Sequence, residues 1–294
     1  MATPLHILSP AKINLFLHVL RRRPDGYHDL FSLMCRIALY DRIELAAGDG
    51  PVRVECSDPG LPTDEGNLAF RAACRFYEAL GRSGGADIRL EKHIPAGAGL
   101  GGGSSNAAGV LLGLNRLHGS PLSIERLLAV GKGLGADVPF FIFQSPALVS
   151  GIGDRLEAYD RIPPLSAVVV SPSLSVSTRM VYQNLNLQLT KLQKPPTRAH
   201  LKTAAFDPLL HLCNDLETVT LALHPELATI KAHLIERGAL GSLMSGSGSS
   251  VFGLFPDRGA ARRAADALAG TRGWRVFCAD LLTRPVDLIH ANTM

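Results

Sequence analysis

The segment Pro95–Leu111, PAGAGLGGGSSNAAGVL, constrains this chain more than any other. Glycines stand at 97, 99, 101, 102 and 103, and a run of alanine, valine and leucine at helical density follows at once. Bare backbone lets N–H groups crowd around a ligand that side chains would push away. A helix start adds unpaired N–H groups and a partial positive charge. Together they predict a bound anion, most often phosphate.

Other glycine motifs fit the context less well. Gly97, Gly99 and Gly102 match G-x-G-x-x-G, but a dinucleotide-binding unit wants an apolar strand directly before it and an acidic residue about 20 positions on. Here the charged LEKHIP precedes the loop, and the nearest downstream acid, Glu125, lies inside a predicted helix. No Gly-Lys-Ser/Thr closes the run, which excludes a Walker A loop. The His-Arg-Asp and Asp-Phe-Gly partners of a protein kinase are also missing. Gly81-Arg82-Ser83-Gly84-Gly85 fits G-x-S-x-G, yet it follows a predicted helix and precedes a strand, the reverse of a nucleophile elbow. It reads as a surface turn.

The 294 residues, 46% hydrophobic and 19% charged, suit two medium domains. Thirty basic and 26 acidic residues, net +4, are mixed along the chain, so no stripe predicts a nucleic-acid groove. Arg21, Arg22 and Arg23 form the one dense basic cluster, a solvated turn before Pro24-Asp25-Gly26 or a phosphate contact. Five dispersed cysteines without a CxxC pair argue against a disulfide framework and a zinc site. No apolar run reaches the roughly 18 residues that span a bilayer, and the N-terminal apolar stretch is interrupted by Lys12 and Asn14, unlike a secretory signal. The expectation is a cytoplasmic protein.

Strands are predicted at 13–20, 42–46, 52–56, 87–93 and 147–158. Helices are predicted at 67–80, with Asn67 as N-cap and Gly81 past its end, at 105–117 out of the glycine loop, and at 123–134 with Ser123 as cap. RIPPLS, 161–166, reads as a linker, giving an α/β domain over 1–163 and a second domain over 164–294. The second half orders as strand 167–171, helix 226–237, strands 240–244 and 250–255 joined by SGSGS, helix 259–268 and strand 274–279. That order resembles a ferredoxin-like layer. Residues 188–205, with two prolines, read as an irregular insertion.

Three stretches line up with one family. SPAKINLFLHVLRRRPDGYHDL, PAGAGLGGGSSNAAGVL and LMSGSGSSVFGLF resemble, in order, the signature regions of the GHMP small-molecule kinases. Lys12 and Asn14 in AKINL, Asp25-Gly26-Tyr27-His28, and LGADVPFFI over 134–142 narrow the likeness to the branch whose acceptor carries a cytidine diphosphate. The resemblance implies an α+β, two-domain fold: an N-terminal nucleotide-binding α/β domain, a C-terminal ferredoxin-like domain and a cleft between them. It also implies transfer of the ATP γ-phosphoryl to the tertiary 2-hydroxyl of a cytidine-diphosphate-linked methylerythritol, with Mg2+, in a monomer or homodimer that uses neither nucleic acid nor membrane.

The resemblance carries roles to individual positions. Asp137 matches the family's catalytic aspartate, which takes the hydroxyl proton; read alone, an aspartate there is more often a helix cap or turn residue. Lys12 beside it would offset charge on the carboxylate and the moving phosphoryl. Pro95, Gly97, Gly99, Leu100, Gly101, Gly102, Gly103, Ser104, Ser105 and Asn106 would wrap the triphosphate, with Ser104 or Ser105 near magnesium, and Asn67 and Lys92 would lie near adenine. On the acceptor side, His28 would read the cytosine edge while Tyr27 and Tyr182 hold its ring. Tyr182 departs from the expected phenylalanine, though either can stack. Asn14, Thr178, Gly246 and Ser247 complete the acceptor set, the last two in a stretch that either closes the cleft or is a plain hairpin turn.

Overall fold

The computed structural model describes residues 3–187, 201, 203–287 and 289–291. The first half runs β1 (Leu5–Arg22), β2 (His28–Gly48), β3 (Arg53–Cys56), α1 (Leu68–Leu80), β4 (Gly85–Glu91), α2 (Gly102–Leu117), α3 (Ile124–Leu134), α4 (Val138–Phe143), β5 (Ala147–Gly151) and β6 (Arg155–Ala158). The second runs β7 (Ser166–Pro172), α5 (Thr178–Gln183), α6 (Pro208–His211), β8 (Cys213–Asn214), α7 (Glu217–Leu223), α8 (Glu226–Glu236), β9 (Gly241–Met244), β10 (Val251–Phe255), α9 (Arg258–Leu268), β11 (Trp274–Leu282) and β12 (Ile289–Ala291).

β2 is the spine. Its first part pairs β5, its middle touches β11 and its far end pairs β4, while β1 runs antiparallel along almost its whole length. Helices α1 to α4 cover one face of this sheet, burying Ala72, Phe76, Val110, Leu114, Phe140 and Phe141 against Ile43, Leu45 and Ile88. Helix ends follow their capping residues. Asn67 Oδ1 accepts from the Ala69 N–H and Gly81 closes α1 in the left-handed region, while Ser123 Oγ accepts from the Arg126 N–H at α3.

The second half forms a sheet in the order β11-β7-β10-β9, all neighbours antiparallel. Numbered within that half, the order is 4-1-3-2, with α8 and α9 packed on one face, which is the ferredoxin-like arrangement. Val168 and Val170 point to those helices, meeting Leu227, Ile230, Leu234 and Ala261. Ala167 and Val169 point the other way, to Ile13, Leu15 and Phe16 of β1. Both faces are buried, which is why β7 reads as an uninterrupted apolar run rather than an alternating one. The last strand, β12, returns to pair with the start of β1.

The structure corrects several boundaries. The strand predicted over 13–20 extends to Leu5–Arg22, and its partner over His28–Gly48 was predicted only over 42–46, because buried Arg36 and Asp41 break the apolar pattern. The single strand predicted over 147–158 is a hairpin, β5 and β6, turned at Gly151–Asp154. Helix α2 begins at Gly102 rather than 105, since its first turn is built from glycine. The insertion predicted over 188–205 lies largely outside the described residues.

Candidate active site

The glycine loop is fixed before any ligand arrives. Gly101 caps α2 in the left-handed region, φ 73°, and no side chain caps the helix, so its first amides face the groove without a side-chain acceptor. Gly99, φ 78°, lies so close to the loop after β9 that a Cβ there would sit 2.0 Å from the Ser245 carbonyl oxygen. Ser245 Oγ donates to the Gly99 carbonyl at 2.9 Å, and the Ser250 N–H to the Ala98 carbonyl at 3.1 Å. The two halves of the chain therefore meet backbone to backbone at this loop.

Beneath it lies a buried polar network. Asp41 Oδ1 accepts from the His93 and Ile94 N–H groups at 2.8 and 2.9 Å, and its Oδ2 accepts from Lys92 Nζ and, at 3.0 Å, from Asn106 Nδ2. Lys92 Nζ also donates to Asn106 Oδ1 at 2.8 Å. Ser9 Oγ receives Asn106 Nδ2 at 2.9 Å and donates to Ser105 Oγ at 2.8 Å. These contacts pin α2 to β1 and β2. They also bear on three expectations: Ser105 turns its hydroxyl into the core, the Asn106 amide is buried, and the Lys92 ammonium is engaged by Asp41. Ser104 is thus the loop hydroxyl that faces open space.

Two cavities meet at the loop. One, about 330 Å³, is lined by Leu61, Pro62, Asn67, Leu68, Lys92, Pro95 and the loop residues Gly97, Gly99, Gly101, Gly102, Gly103, Ser104 and Asn106. Leu100 lies between them with its side chain in the core and its carbonyl accepting from the Lys12 N–H at 2.9 Å. The other cavity, about 770 Å³, is lined by Lys12, Asn14, Tyr27, His28, Asp137, Thr178, Tyr182, Gly246 and Ser247, so it gathers every residue predicted for catalysis and the acceptor. Gly99, Gly101 and Ser104 line both.

Lys12 and Asn14 alternate on β1 with Ala11, Ile13 and Leu15, so the polar pair faces the cleft while the apolar set enters the core. The Lys12 side chain is 5% exposed, and its Nζ donates to Asn14 Oδ1 at 2.6 Å and stands 3.7 Å from Asp137 Oδ2. Asn14 Nδ2 in turn donates to Ser32 Oγ at 2.9 Å. Asp137 occupies the N-cap position of α4 but makes no capping hydrogen bond, which leaves its carboxylate, 36% exposed, to the cleft. At the far end, Arg36 is buried beside β5 and donates to the Gln144 carbonyl, where α4 ends. Its cation meets the negative end of that helix.

On the acceptor side the His28 and Tyr182 rings lie 5.2 Å apart, tilted 31°. Burial, then the charge of Arg22, hold His28 below the ordinary imidazole range. Burial first and Asp137 second push the Tyr182 hydroxyl above the usual phenol range, so it stays protonated. Tyr27 is mostly exposed at the rim. Thr178 Oγ1 and Ser247 Oγ are 2.7 Å apart, tying α5 to the loop after β9. Within the arginine cluster, Arg21 and Arg23 pair with Asp29 and Asp25, while Arg22 lines the cleft. Arg179 and Gln183 line it too, and sequence reasoning missed both, since a polar residue on a short helix carries no signal of the direction it faces.

Comparison with known proteins places these features. The GHMP kinases N terminal domain matches residues 67–145 and the GHMP kinases C terminal matches 200–272. The 4-diphosphocytidyl-2-C-methyl-D-erythritol kinase of Geobacter sp. (strain M21) is 51% identical over 92% of this chain and 96% of its own. Its counterpart from Syntrophotalea carbinolica is 49% identical over 93% and 97%. A crystal structure of 4-(cytidine 5'-diphospho)-2C-methyl-D-erythritol kinase superposes with TM-score 0.79 at 40% identity, covering 94% of this chain and 98% of that one. A homoserine kinase from Cytophaga hutchinsonii, 22% identical with TM-score 0.71 over 96% of both chains, shares the fold. The chain belongs to the GHMP kinases, and within them to the 4-diphosphocytidyl-2-C-methyl-D-erythritol kinase family of small-molecule phosphotransferases.

Proposed function

We propose that the chain transfers the γ-phosphoryl group of ATP to the 2-hydroxyl of 4-(cytidine 5'-diphospho)-2-C-methyl-D-erythritol, a step of the non-mevalonate route to isoprenoid precursors. The observation that carries this reading is the shared wall of the two cavities. A triphosphate on the loop amides has its end at Gly99, Gly101 and Ser104, and the Lys12–Asp137 pair stands on the other side of that wall. The smaller cavity takes the nucleoside, with Asn67 and Lys92 at its edge, and the larger takes the acceptor.

Transfer passes through a loose transition state, so positioning and charge dominate. The acceptor hydroxyl donates to Asp137. As its oxygen bonds to γ-phosphorus and the bond to the β-phosphate oxygen breaks, the proton passes to the carboxylate and ADP leaves. Lys12 offsets the charge gathering on the moving group. Its own charge is held by Asn14 and Asp137 in a site where an unpaired ammonium would be costly. Mg2+ carried with ATP would neutralise phosphate charge, and Ser104 would supply an oxygen donor suited to it beside the shared wall. His28, neutral, reads the cytosine edge while Tyr27 and Tyr182 hold the ring, and Thr178, Ser247 and Gly246 hold the polar linker.

We read residues 1–163 as the nucleotide half and 164–294 as the half that closes the cleft, working as a monomer or homodimer in the cytoplasm, where ATP is supplied. Among the described residues no helix is long and apolar enough to cross a membrane. An ADP-release assay over a panel of alcohols tests the reading. Turnover is expected with the cytidine-linked acceptor, and turnover on homoserine or mevalonate in its place contradicts it.

A further inference from the structure

Behind the acceptor cleft, where β1 meets β8, three side chains unused by phosphoryl transfer come together. His18, Cys213 and Asp215 each offer a ligand atom, and those atoms lie within 4.8 Å of one another. His18 Nδ1 is 3.6 Å from Asp215 Oδ1, and Cys213 Sγ is 3.9 Å from the same oxygen. Backbone fixes the arrangement. β8 runs parallel to β1 with Cys213 opposite Phe16, and the Asp215 N–H donates to the Leu17 carbonyl at 2.9 Å.

The two oxygens of the Asp215 carboxylate are met unequally. Its Oδ2 accepts from the Val19 N–H at 2.7 Å, while Oδ1 has just the two longer contacts to His18 and Cys213. Among the described residues no lysine or arginine pairs with it, although Asp215 and His18 are both buried. His18 Nε2 is likewise buried without a hydrogen-bond partner. A buried carboxylate is costly unless a cation or several donors meet it.

We propose that His18, Cys213 and Asp215 form a binding site for a borderline-soft divalent cation, with Zn2+ as the type. Imidazole, thiolate and carboxylate suit zinc, whereas magnesium and calcium call for oxygen donors alone. A dication held by one thiolate, one carboxylate and one neutral imidazole is a neutral unit, which suits this buried position. On coordination the Cys213 S–H bond breaks, the proton leaves to solvent, and the sulfur lone pair binds the metal without any redox change. The three ligands are not a cysteine pair near in sequence but come from positions that only the fold brings together.

The site also touches the chemistry indirectly. Asn214, between two of the ligands, donates through Nδ2 to the Met244 carbonyl at 2.8 Å and the Gly246 carbonyl at 2.7 Å. Gly246 lies against Lys12 Nζ and Asn14, so a metal at Cys213 and Asp215 braces the loop that bounds the acceptor cleft.

The test uses the full chain, stripped of metal with a chelator and titrated with cobalt(II) chloride, then with zinc chloride. The expected result is a thiolate-to-cobalt charge-transfer band that saturates at one equivalent and is bleached by zinc. Cys213→Ser should abolish the band and weaken zinc binding by more than about 10-fold, the loss that even an outer partner of a ligand can produce. His18→Gln should weaken zinc equally while keeping a thiol, which covers the case in which the serine variant does not fold. Absence of the band in the native chain, or equal zinc affinity in native and variant chains, overturns the proposal.

Discussion

The two walls of the cleft are built from different material. On the nucleotide side the chain presents backbone, with alternate glycines in the left-handed region, a helix start without a side-chain cap and a carbonyl lattice to the loop after β9. On the acceptor side it presents side chains, with a lysine and an asparagine on one strand, an aspartate ahead of a short helix, and two aromatic rings in contact. The difference follows from the ligands. A triphosphate is the same in every ATP, so amides and a helix end suffice for it. One alcohol among many must be told apart by shape and by hydrogen bonds of particular placement, which varied side chains supply best.

That contrast is most open to attack at Asp137. Asp137→Asn keeps the shape and removes the proton acceptor, and kcat should fall about 10²- to 10⁴-fold with ATP affinity unchanged. Equal losses in kcat and ATP binding, measured by steady-state kinetics and calorimetry, would mean that the residue holds structure instead. The converse experiment is Gly99→Ala on the other wall. The new Cβ would collide with the Ser245 carbonyl in a backbone region that costs a side chain about 1–3 kcal/mol. ATP affinity should drop by about 10- to 100-fold, with a smaller loss of acceptor affinity, since Gly99 also lines the acceptor cavity. An alanine that binds ATP as well as glycine does would break the backbone half of the comparison.

Smaller effects should separate the walls further. His28→Ala should raise the acceptor KM about 10-fold, the worth of one hydrogen bond and a ring contact, and leave the KM for ATP alone. The pH dependence sharpens the same point. Burial and Arg22 depress the imidazole, so His28 stays neutral down through the range where a free histidine, near pKa 6.5, is half charged. Acceptor KM should therefore rise only below that pH, by a few-fold, and the rise should vanish in His28→Ala. A rise already centred above pH 7 would contradict the assignment.

The two walls also differed in how legible they were. Glycine has few uses at such density, so the loop, its helix and the anion site could be read from residues 95–111 alone. Lys12 stood out because an ammonium inside SPAKINLFLHVL needs a partner, and the partner proved to be Asn14 and Asp137. Asp137 itself needed the family resemblance, since an aspartate after Gly-Ala and before Val-Pro caps helices more often than it does chemistry. Helix α4, six residues long, is too short for a 3.6-residue period to register. Asp41 escaped notice altogether. It lies next to a tyrosine just ahead of the strand predicted over 42–46, and only the fold shows that it is fully buried under Lys92, Asn106 and two backbone amides. Lone charged residues that hold loops in place leave no pattern, because their partners lie 50 or more positions away.

The most direct measurement is a crystal structure of the chain with a non-hydrolysable ATP analogue and the cytidine-linked acceptor bound together. The account predicts the triphosphate against the amides that open α2, its terminal phosphorus facing Lys12, and the 2-hydroxyl within hydrogen-bond reach of Asp137. A triphosphate bound away from those amides, or a terminal phosphate turned from the Lys12–Asp137 pair, would contradict it.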